Sequence, residues 1–341
     1  PTCILEFTVL ALAGMDHFFS LTPDRILDSV EDAIGSKKTG VRATGRTFQL
    51  NSMENRVYEI ELDDESRVVG KFYRPGRWSK DCILEEHEFI RELAAGEVPA
   101  VAPIELSNQS TLFETSDGIF FALFPKVRGQ IVQELADTEL AQIGRLLARL
   151  HNVGAAKQAK HRLSLNPKTY GQASLDFLKS GNFIDIQVLT AYTAAVNELL
   201  QKIEPMFQDL PIHRVHGDCH LGNVLWHHTP QGAQAFFLDF DDMVTGPAVQ
   251  DIWLVVRGRD ETAQRQRQVL IESYQTLRSF DIQTLRLIEP LRALRMIHYS
   301  AWIARRWNDP IFQRTFPEFG SYRYWQDQLA DVHEQLRFIA N

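Results

Sequence analysis

One polar stretch of the chain holds residue types that can bind a metal ion or move a proton. It is His-Gly-Asp-Cys-His-Leu-Gly-Asn over residues 216–223, and Asp239 follows sixteen residues after Asn223. Carboxylate and amide oxygens are the ligands that Mg²⁺ prefers, and a carboxylate can also accept a proton from a hydroxyl. By itself this stretch could belong to a metal site, to a hydrolase with two carboxylates or to an enzyme that transfers a phosphoryl group.

Charged residues earlier in the chain favour the third possibility. Enzymes that transfer phosphate from ATP need a Lys for the nucleotide phosphates, an acid that orients this Lys, oxygen ligands for Mg²⁺ and a base near the acceptor hydroxyl. The chain offers Lys71, then Glu85 or Glu86, then the polar stretch. Within that stretch Asp218 and Asn223 are five residues apart, as in the catalytic loop of protein kinases.

Two adjacent glutamates compete for the position beside the lysine. Glu85 and Glu86 lie in a segment, residues 80–95, whose apolar side chains recur at helical spacing. Adjacent residues of a helix point about 100° apart, so that only one of the two can face the predicted sheet. The sequence leaves both open, and we expect Glu86 to be the partner of Lys71.

The apolar periodicity predicts an α+β fold, with a small antiparallel sheet followed by a mainly helical part that holds one short hairpin. Strands are predicted at residues 46–50, 57–62 and 67–73, with a hairpin at 111–124. Helices are predicted at residues 22–35, 80–95, 137–152, 174–179, 186–205, 249–258, 262–279, 284–307 and 321–338. Gly154 is expected to cap the helix that starts at residue 137. Strand character ends at residues 125–129, which we interpret as the connection between residues 15–124 and residues 130–341.

Composition limits the classes of function. The formal net charge of −8 does not suit a protein that neutralises nucleic-acid phosphates over its surface. Three widely spaced cysteines fit a reducing compartment better than a disulfide framework. Residues 3–14 are apolar except for Glu6 and Thr8, but they lack a basic region and fall short of the ~20 residues that span a bilayer. We therefore interpret residues 1–14 as an extension or accessory strand.

The motif resembles the aminoglycoside phosphotransferase and choline kinase branch of the protein-kinase-like fold. It combines His-Gly-Asp-x-His-x-x-Asn at residues 216–223 with Leu-Asp-Phe-Asp at residues 238–241. Stretches elsewhere are similar to the bacterial stress response kinase A family, at residues 51–58, 71–78, 83–87 and 246–253. The resemblance covers nearly all of the chain after Met15. It implies a bilobal fold with a nucleotide-binding lobe and a helical catalytic lobe, and a cytoplasmic, ATP- and Mg²⁺-dependent Ser/Thr protein kinase that can autophosphorylate.

The resemblance also implies roles for five residues. Asp218 would be the base that accepts or orients the acceptor proton. Asn223 and Asp239 would bind Mg²⁺. Lys71 would contact the α- and β-phosphates of ATP while it pairs with Glu86. A lone acidic residue is most often a helix cap or a solvated side chain, but the presence of Asp218, Asn223 and Asp239 together, in this order and spacing, makes that alternative weak.

The turn at residues 51–55 departs from ordinary protein kinases because it lacks their Gly-x-Gly-x-x-Gly pattern. The resemblance places Ser52 in the turn over the nucleotide, and Ser52 and Asn55 could donate hydrogen bonds to phosphate alongside the backbone N–H groups. The alternative is that both are plain hairpin-turn residues.

Histidines and one cysteine around the motif raise the possibility of zinc. They are His213, His216, His220, His227, His228 and Cys219. No pair has the spacing of a His-Glu-x-x-His site, and oxygen ligands suit Mg²⁺ better than zinc. We expect His216, like Asp251 after Gly246-Pro247, to hold the loop in place through hydrogen bonds.

The helix predicted at residues 284–307 carries basic and aromatic residues, namely Arg292, Arg295, Trp302 and Arg306. They could line an acceptor cleft and attract acidic or phosphorylated partners. Arginines and aromatic residues on a helix are more often used for packing and solvated charge.

Two rival functions remain open at the level of sequence. The same motif serves kinases that phosphorylate a small alcohol such as choline, homoserine or an aminoglycoside. A nucleotide-sensing pseudokinase would bind ATP without turnover, although every expected catalytic position is filled here. We expect a protein partner with a Ser or Thr acceptor, no nucleic-acid or membrane partner, and a monomer.

Overall fold

The computed structural model describes residues 21–230 and 232–340. The chain divides into two compact units. Among the described residues, the first unit contains residues 21–135 together with those between 221 and 242, and the second contains residues 136–220 and 243–340. The predicted extension at residues 1–14 lies outside the described residues.

A five-stranded antiparallel sheet forms the centre of the first unit. Its strands are β1 (Ala43–Leu50), β2 (Arg56–Leu62), β3 (Arg67–Phe72), β4 (Phe113–Glu114) and β5 (Phe120–Pro125). They lie in the order β1-β2-β3-β5-β4, which makes β3 the central strand. The three strands and the later hairpin that alternation predicts are therefore all present.

One face of this sheet is apolar and is covered by the first helix. The ring of Phe72 in β3 is fully buried and stacks on Phe121 of β5, with 4.8 Å between centroids. Helix α1 (Pro23–Ile34) packs Ile26 into the same cluster, and a one-turn helix α2 (Ser36–Thr39) follows it. Full burial of a side chain of this size contributes about 2 kcal/mol, so the core holds β3 firmly in place.

Helix α3 (Lys80–Ala95) comes directly after β3 and its loop. Ser79 caps the helix, because its side-chain oxygen accepts a hydrogen bond from the backbone N–H of Cys82 at 3.2 Å. The buried apolar side chains of the helix are Cys82, Ile83, Phe89, Ile90 and Leu93. Glu86 is buried among them, and a buried carboxylate is costly unless it is paired.

A small second sheet belongs to the first unit although most of it comes much later in the chain. Strands β8 (Val224–Thr229) and β9 (Gly232–Phe237) form an antiparallel hairpin, and β6 (Gln130–Ile131) pairs with β8. Phe237 also forms a parallel bridge with Ala100. These backbone pairings tie residues 221–242 to the N-terminal part of the chain.

The division of the chain consequently differs from the one drawn at residues 125–129. The sequence assigned everything from residue 130 to the helical part, including the hairpin. Apolar periodicity finds strands and helices, but it does not reveal which distant strand a hairpin will pair with. The β6 and Ala100 pairings decide that question in favour of the first unit.

The second unit is mainly helical. Its helices are α4 (Asp137–Ala156), α5 (Ala173–Ser180), α6 (Ile186–Ile203), α7 (Val249–Val255), α8 (Glu261–Gln275), α9 (Ile288–Ala304), α10 (Pro310–Thr315) and α11 (Tyr322–Ala340). The helix predicted from residue 284 begins instead as a separate 3₁₀ segment, Ile282–Leu287, and α10 was not predicted. Each of the other predicted helices of this part has a counterpart.

Gly154 does not cap helix α4, contrary to the expectation from sequence. The helix continues to Ala156, and Gly154 is buried inside it. A Cβ atom added at Gly154 would lie 2.1 Å from the backbone oxygen of Arg214. Glycine is therefore required there for close packing against a neighbouring strand rather than for a left-handed turn.

That neighbouring strand belongs to a two-stranded ribbon in the second unit. Strands β7 (Ile212–Val215) and β10 (Val244–Pro247) pair antiparallel, with Val215 opposite Val244. Neither strand was predicted, because four residues are too few to establish an alternating pattern. β7 leads directly into residues 216–218 and so fixes where the polar loop begins.

No helix within residues 21–230 and 232–340 is both long and apolar enough to cross a membrane.

Candidate active site

Lys71 lies at the centre of a buried cluster of charges in the first unit. Its Nζ is 3.0 Å from Oδ1 of Asp239, 3.3 Å from Oδ1 of Asp241 and 3.5 Å from Oε1 of Glu86. Burial alone would lower the pKa of Lys71, but the charges of Asp239, Asp241 and Glu86 outweigh burial and raise it well above its usual value. Lys71 is therefore a fixed cation.

Of the two glutamates that the sequence offers, Glu86 is the one that reaches the lysine. It is 1% exposed and lies on the inner side of α3, whereas Glu85 is half-buried. The apolar residues around it, such as Ile83 and Ile90, turn the same side of α3 inward. Burial of one face of α3 therefore identifies Glu86 as the partner of Lys71, a choice that the sequence left open between two adjacent residues.

Asp239 is the second residue after β9 and keeps part of its carboxylate accessible. Its side chain is 50% exposed, although Oδ1 accepts from Lys71. Its backbone has a φ of 55°, a left-handed conformation that Asp adopts more readily than most residues and that is enriched at functional sites. The conformation is thus local support for a special role of this residue.

Asn223 lies at the same end of the β8–β9 hairpin as Asp239. The backbone N–H of Leu238 donates to the backbone oxygen of Asn223 at 2.9 Å, and the next pair along the hairpin is Val224 with Phe237. The register therefore brings the two oxygen-bearing side chains to neighbouring positions. Amide and carboxylate oxygens with an accessible face fit Mg²⁺, which takes one or two protein ligands beside water and phosphate.

Asp241 also belongs to this cluster, although it was not among the site residues predicted from the sequence. It is 3% exposed, and besides Lys71 it contacts Arg77 and accepts from Nδ2 of Asn55 at 3.3 Å. The signal was available, since Asp241 stands two residues after Asp239 in the motif. Asp241 is buried and connects Lys71 to Arg77, and neither property could be deduced from the spacing of residues in the sequence.

Arg77 and Arg74 tie the loop after β3 to the turn at residues 51–55. Arg77 pairs with Asp241 and Asp242, and its Nη1 lies 3.4 Å from Oε2 of Glu54. Nε of Arg74 donates to the side chain of Glu54 at 3.1 Å. Burial would lower the pKa of Arg77, but these acids raise it well above its usual value, so it also stays charged.

The two turn residues predicted to approach the nucleotide have different surroundings. The amide of Asn55 is buried, accepts from the backbone N–H of Arg74 at 3.1 Å and donates to Asp241. Oγ of Ser52 accepts from the backbone N–H of Asn55 at 3.3 Å. This arrangement favours the alternative of a structural turn for Asn55, while the role of Ser52 at the nucleotide stays a prediction.

In the second unit, Asp251 fixes the backbone of the polar loop. Oδ2 accepts from the backbone N–H of His216 and Oδ1 from that of Gly217, both at 2.9 Å. Nε2 of His151 also contacts Oδ2, at 3.0 Å. Gly217 has a φ of 84°, a conformation that glycine adopts without strain. The loop is anchored immediately before Asp218, as expected for Asp251.

Gln250 is a second anchor of the loop, and it was not predicted from the sequence. Its Nε2 donates to the backbone oxygen of Gly217 at 2.8 Å, and its Oε1 accepts from Nε1 of Trp253 at 3.0 Å. Gln250 and Asp251 together therefore satisfy the N–H and the carbonyl of Gly217. Because α7 carries both residues, its position sets that of the loop.

Asp218 is the carboxylate that this anchored loop presents. Its Oδ1 lies 2.8 Å from Nη2 of Arg295, and its Oδ2 lies 3.4 Å from Nε2 of His220. Burial would raise the pKa of Asp218, but the hydrogen bond from His220 and the charge of Arg295 lower it to about 2. The group is therefore ionised at neutral pH and able to accept a proton.

Cys219 and His213, two of the residues that raised the possibility of zinc, belong to the core. Cys219 is fully buried, and burial raises the pKa of its thiol well above the usual value. His213 is buried against the ring of His151, and burial together with His151 lowers its pKa to about 2. A protonated thiol and a neutral imidazole can both be buried without a charge, so Cys219 and His213 serve as packing residues of the core.

Comparison with known proteins places the chain in a family. A family model described as the phosphotransferase enzyme family matches residues 48–288. The chain belongs to this family. It is 36% identical to stress response kinase A of Escherichia coli (strain K12) over 323 residues, 94% of each chain. It is 35% identical over the same length to the serine/threonine protein kinase RdoA of Salmonella typhimurium (strain LT2). The resemblance to the stress response kinase A family is confirmed.

Solved structures of phosphotransferases share the fold. Amicoumacin kinase hAmiN, in complex with AMP-PNP, Ca²⁺ and Ami, superimposes with a TM-score of 0.64 over 81% of this chain and 88% of its own, at 19% identity. At that identity the likeness concerns the fold alone. The predicted α+β, protein-kinase-like fold, with its antiparallel sheet and larger helical part, is confirmed.

Proposed function

We propose that this member of the phosphotransferase enzyme family is an ATP- and Mg²⁺-dependent Ser/Thr protein kinase that autophosphorylates and acts in the cytoplasm in a bacterial stress response. The observation that carries the kinase assignment is the buried Lys71, held by Glu86 and Asp239. The protein substrate is supported by the names of the relatives, stress response kinase A and a serine/threonine protein kinase.

The lysine cluster suits the nucleotide phosphates. Phosphoryl transfer requires a positive charge in a fixed position. It also requires a site that excludes water, because electrostatic interactions are stronger there. Lys71 meets both, because three carboxylates hold its ammonium group and it is 7% exposed. Its proposed role is to bind the α- and β-phosphates of ATP.

Asn223 and Asp239 are the residues that would hold Mg²⁺. The ion, when bound, supplies positive charge that stabilises the phosphate oxygens during transfer. Asp239 would serve the metal through its exposed side and Lys71 through Oδ1. The proposal is supported by a structural neighbour of the same fold, amicoumacin kinase hAmiN, which was solved in complex with AMP-PNP and Ca²⁺.

Asp218 is the proposed base. Its low pKa keeps it ionised, so it orients the acceptor hydroxyl and takes its proton as the oxygen bonds to the γ-phosphorus. The bond between that phosphorus and the β–γ bridging oxygen breaks at the same time, and ADP leaves with the electron pair. Asp251 and Gln250 hold the loop, so the catalytic contribution is mainly positioning.

Labelled ATP without an added acceptor provides the test. A Ser/Thr protein kinase that autophosphorylates retains label on the protein as phosphoserine or phosphothreonine, and the Asp218→Asn variant retains none. The Asp218→Asn variant should still bind ATP with unchanged affinity, because Asp218 is not one of the proposed nucleotide ligands. Full labelling of the Asp218→Asn variant contradicts the assignment, and ATP binding without turnover indicates a pseudokinase.

A small-alcohol kinase is the second candidate function. The observation in its favour is the fold shared with amicoumacin kinase, a kinase of a small molecule. A panel of amino alcohols, homoserine and aminoglycosides, with ADP release as the readout, separates the two. Efficient turnover of one small alcohol together with the absence of protein-bound label favours this alternative.

A further inference from the structure

Three arginines of the second unit lie near one another, and one of them contacts Asp218. Arg292 and Arg295 lie on α9, one turn apart, and Arg257 follows the end of α7. We call these three residues the arginine face. Arg295 contacts Asp218 directly at 2.8 Å. The face is therefore adjacent to the proposed base.

Arg292 links the members of the arginine face. Its Nη2 donates to the backbone oxygen of Arg257 at 2.8 Å, and its guanidinium lies 5.1 Å from the ring centre of Trp253. Its Nε is 3.3 Å from Glu289, but that carboxylate also binds Arg259 at 2.8 Å. The single carboxylate of Glu289 therefore pairs with two arginines, Arg259 and Arg292.

Arg257 contributes positive charge that the nearby acids do not neutralise. Within residues 21–230 and 232–340, no carboxylate lies within ion-pair distance of its guanidinium, and its Nε donates to the backbone oxygen of Leu254 at 3.3 Å. Burial lowers the pKa of Arg257, and the charges of Arg295 and Arg292 add to this effect despite the attraction of Asp218. Local positive charge therefore exceeds local negative charge.

Two aromatic residues, the exposed Tyr299 and the half-buried Trp302, continue the same side of α9. Residues 292, 295, 299 and 302 are spaced three, four and three apart, which places them along one face of a helix. Tyr299 is 46% exposed and stacks on Trp302, with 5.4 Å between centroids and 14° between planes. We call Tyr299 and Trp302 the aromatic pair. Arginine and aromatic residues are enriched at protein interfaces, so this combination suits the binding of a peptide.

We propose that the arginine face and the aromatic pair bind the acceptor peptide, and that they select a peptide with an anionic side chain, a carboxylate or a phosphate, close to the accepting Ser or Thr. This inference rests on the proposed protein kinase function and specifies its substrate class. Arginine binds carboxylate and phosphate through paired N–H groups, which a neutral side chain cannot match. Amino alcohols and aminoglycosides are cationic and would be repelled by the same charges.

A set of matched peptides tests the proposal with the intact protein. Each peptide has one Ser acceptor and differs at one flanking position, which is Asp, phosphoserine, Asn or Lys, and the position is moved along both sides of the acceptor. At the best position, kcat/KM for the Asp or phosphoserine peptide should exceed that for the Asn peptide by about tenfold or more, and the Lys peptide should be poorest. The Asp and phosphoserine arms show which anion the face prefers.

Arg257→Gln tests whether the face causes the preference. The ratio of kcat/KM for the anionic peptide to that for the neutral peptide should fall several-fold in this variant, and Arg257→Lys should retain part of it. Arg265→Gln is the matched control, because Arg265 is exposed and pairs with Asp137. Its ratio should equal that of the wild type. Added salt should reduce the wild-type preference, since exposed charges are screened.

The outcomes separate this inference from the proposed function. If peptides are phosphorylated but anionic and neutral ones equally well, or if Arg257→Gln leaves the ratio unchanged, the inference is wrong and the kinase assignment stands. If no peptide is phosphorylated and no label is retained on the protein, while a small alcohol is turned over, both are wrong.

Discussion

Nζ of Lys71 lies 3.0 Å from Oδ1 of Asp239, closer than it lies to Glu86. The ion pair joins the proposed phosphate-binding lysine to a proposed Mg²⁺ ligand, and the two residues lie 168 positions apart in the chain. Any change to Asp239 therefore affects both the proposed Mg²⁺ site and the orientation of Lys71.

Replacing Asp239 with Asn should remove Mg²⁺-dependent nucleotide binding. The variant loses the charge that the cation requires, while Glu86 and Asp241 still hold Lys71. Calorimetric titration of an ATP analogue with and without Mg²⁺ measures the effect, and we expect the Mg²⁺-dependent gain in affinity to disappear. Asp242→Asn provides the control, since Asp242 pairs with Arg77 rather than with Lys71. An unchanged gain in the Asp239 variant argues against Asp239 as a ligand.

Replacing Asp241 with Asn should destabilise the first unit. The buried carboxylate contacts Lys71 and Arg77, and breaking a buried ion pair while one partner stays charged costs about 3 kcal/mol or more. Denaturant unfolding measures the loss. Asp242→Asn is again the matched control, because Asp242 contacts the same arginine but its side chain is 46% exposed. Equal stability of the two variants would contradict the role of Asp241 as a buried connector.

Replacing Arg295 with Gln should shift the acid limb of the activity profile to higher pH. The positive charge of Arg295, after the hydrogen bond from His220, helps to hold the pKa of Asp218 at about 2 against the opposing effect of burial. Without that charge the pKa rises, so the base becomes protonated at a higher pH and kcat falls there. The measurement is kcat with a neutral acceptor, over the acid range in which both proteins stay folded. The acid limb of Arg295→Lys should shift less than that of Arg295→Gln. If Arg295→Gln and the wild type have the same acid limb, Arg295 does not influence the pKa of the base.

His213 should make the folded protein sensitive to acid. Burial, the neighbouring His151 and Arg278 lower its pKa from 6.5 to about 2, so between these values the unfolded chain binds a proton that the folded chain does not. Stability is retained above pH 6.5 and falls as the pH decreases below it, by about 1.4 kcal/mol per pH unit for one such group.

The slope of unfolding free energy against pH below 6.5 tests this expectation. It should be shallower in His213→Gln than in the wild type, whatever the absolute stability of the variant. The exposed His333 on α11 offers the control, and His333→Gln should keep the wild-type slope. A wild-type slope in His213→Gln would assign the acid sensitivity to other groups.

The sequence by itself determined the elements and the order of the chemical groups. Alternation found β2 and β3, and helical spacing found α3, because a half-buried strand and an amphipathic helix each leave a regular apolar pattern. The motif from His216 to Asn223 and the position of Asp239 identified the class of chemistry. These features are local, so neighbouring residues suffice to reveal them.

Relationships between distant segments were decided by the tertiary structure. Burial of one face of α3 selects Glu86 over Glu85, and burial of Asp241 makes it a connector between Lys71 and Arg77. Gly154 was misassigned as a cap because the strand that packs on it is remote in sequence. Spacing along a chain reports which residues share a face of one element. Packing determines which faces of different elements come into contact and which charged groups are buried. For this reason the contact between Asp218 and Arg295 could be found only in the tertiary structure.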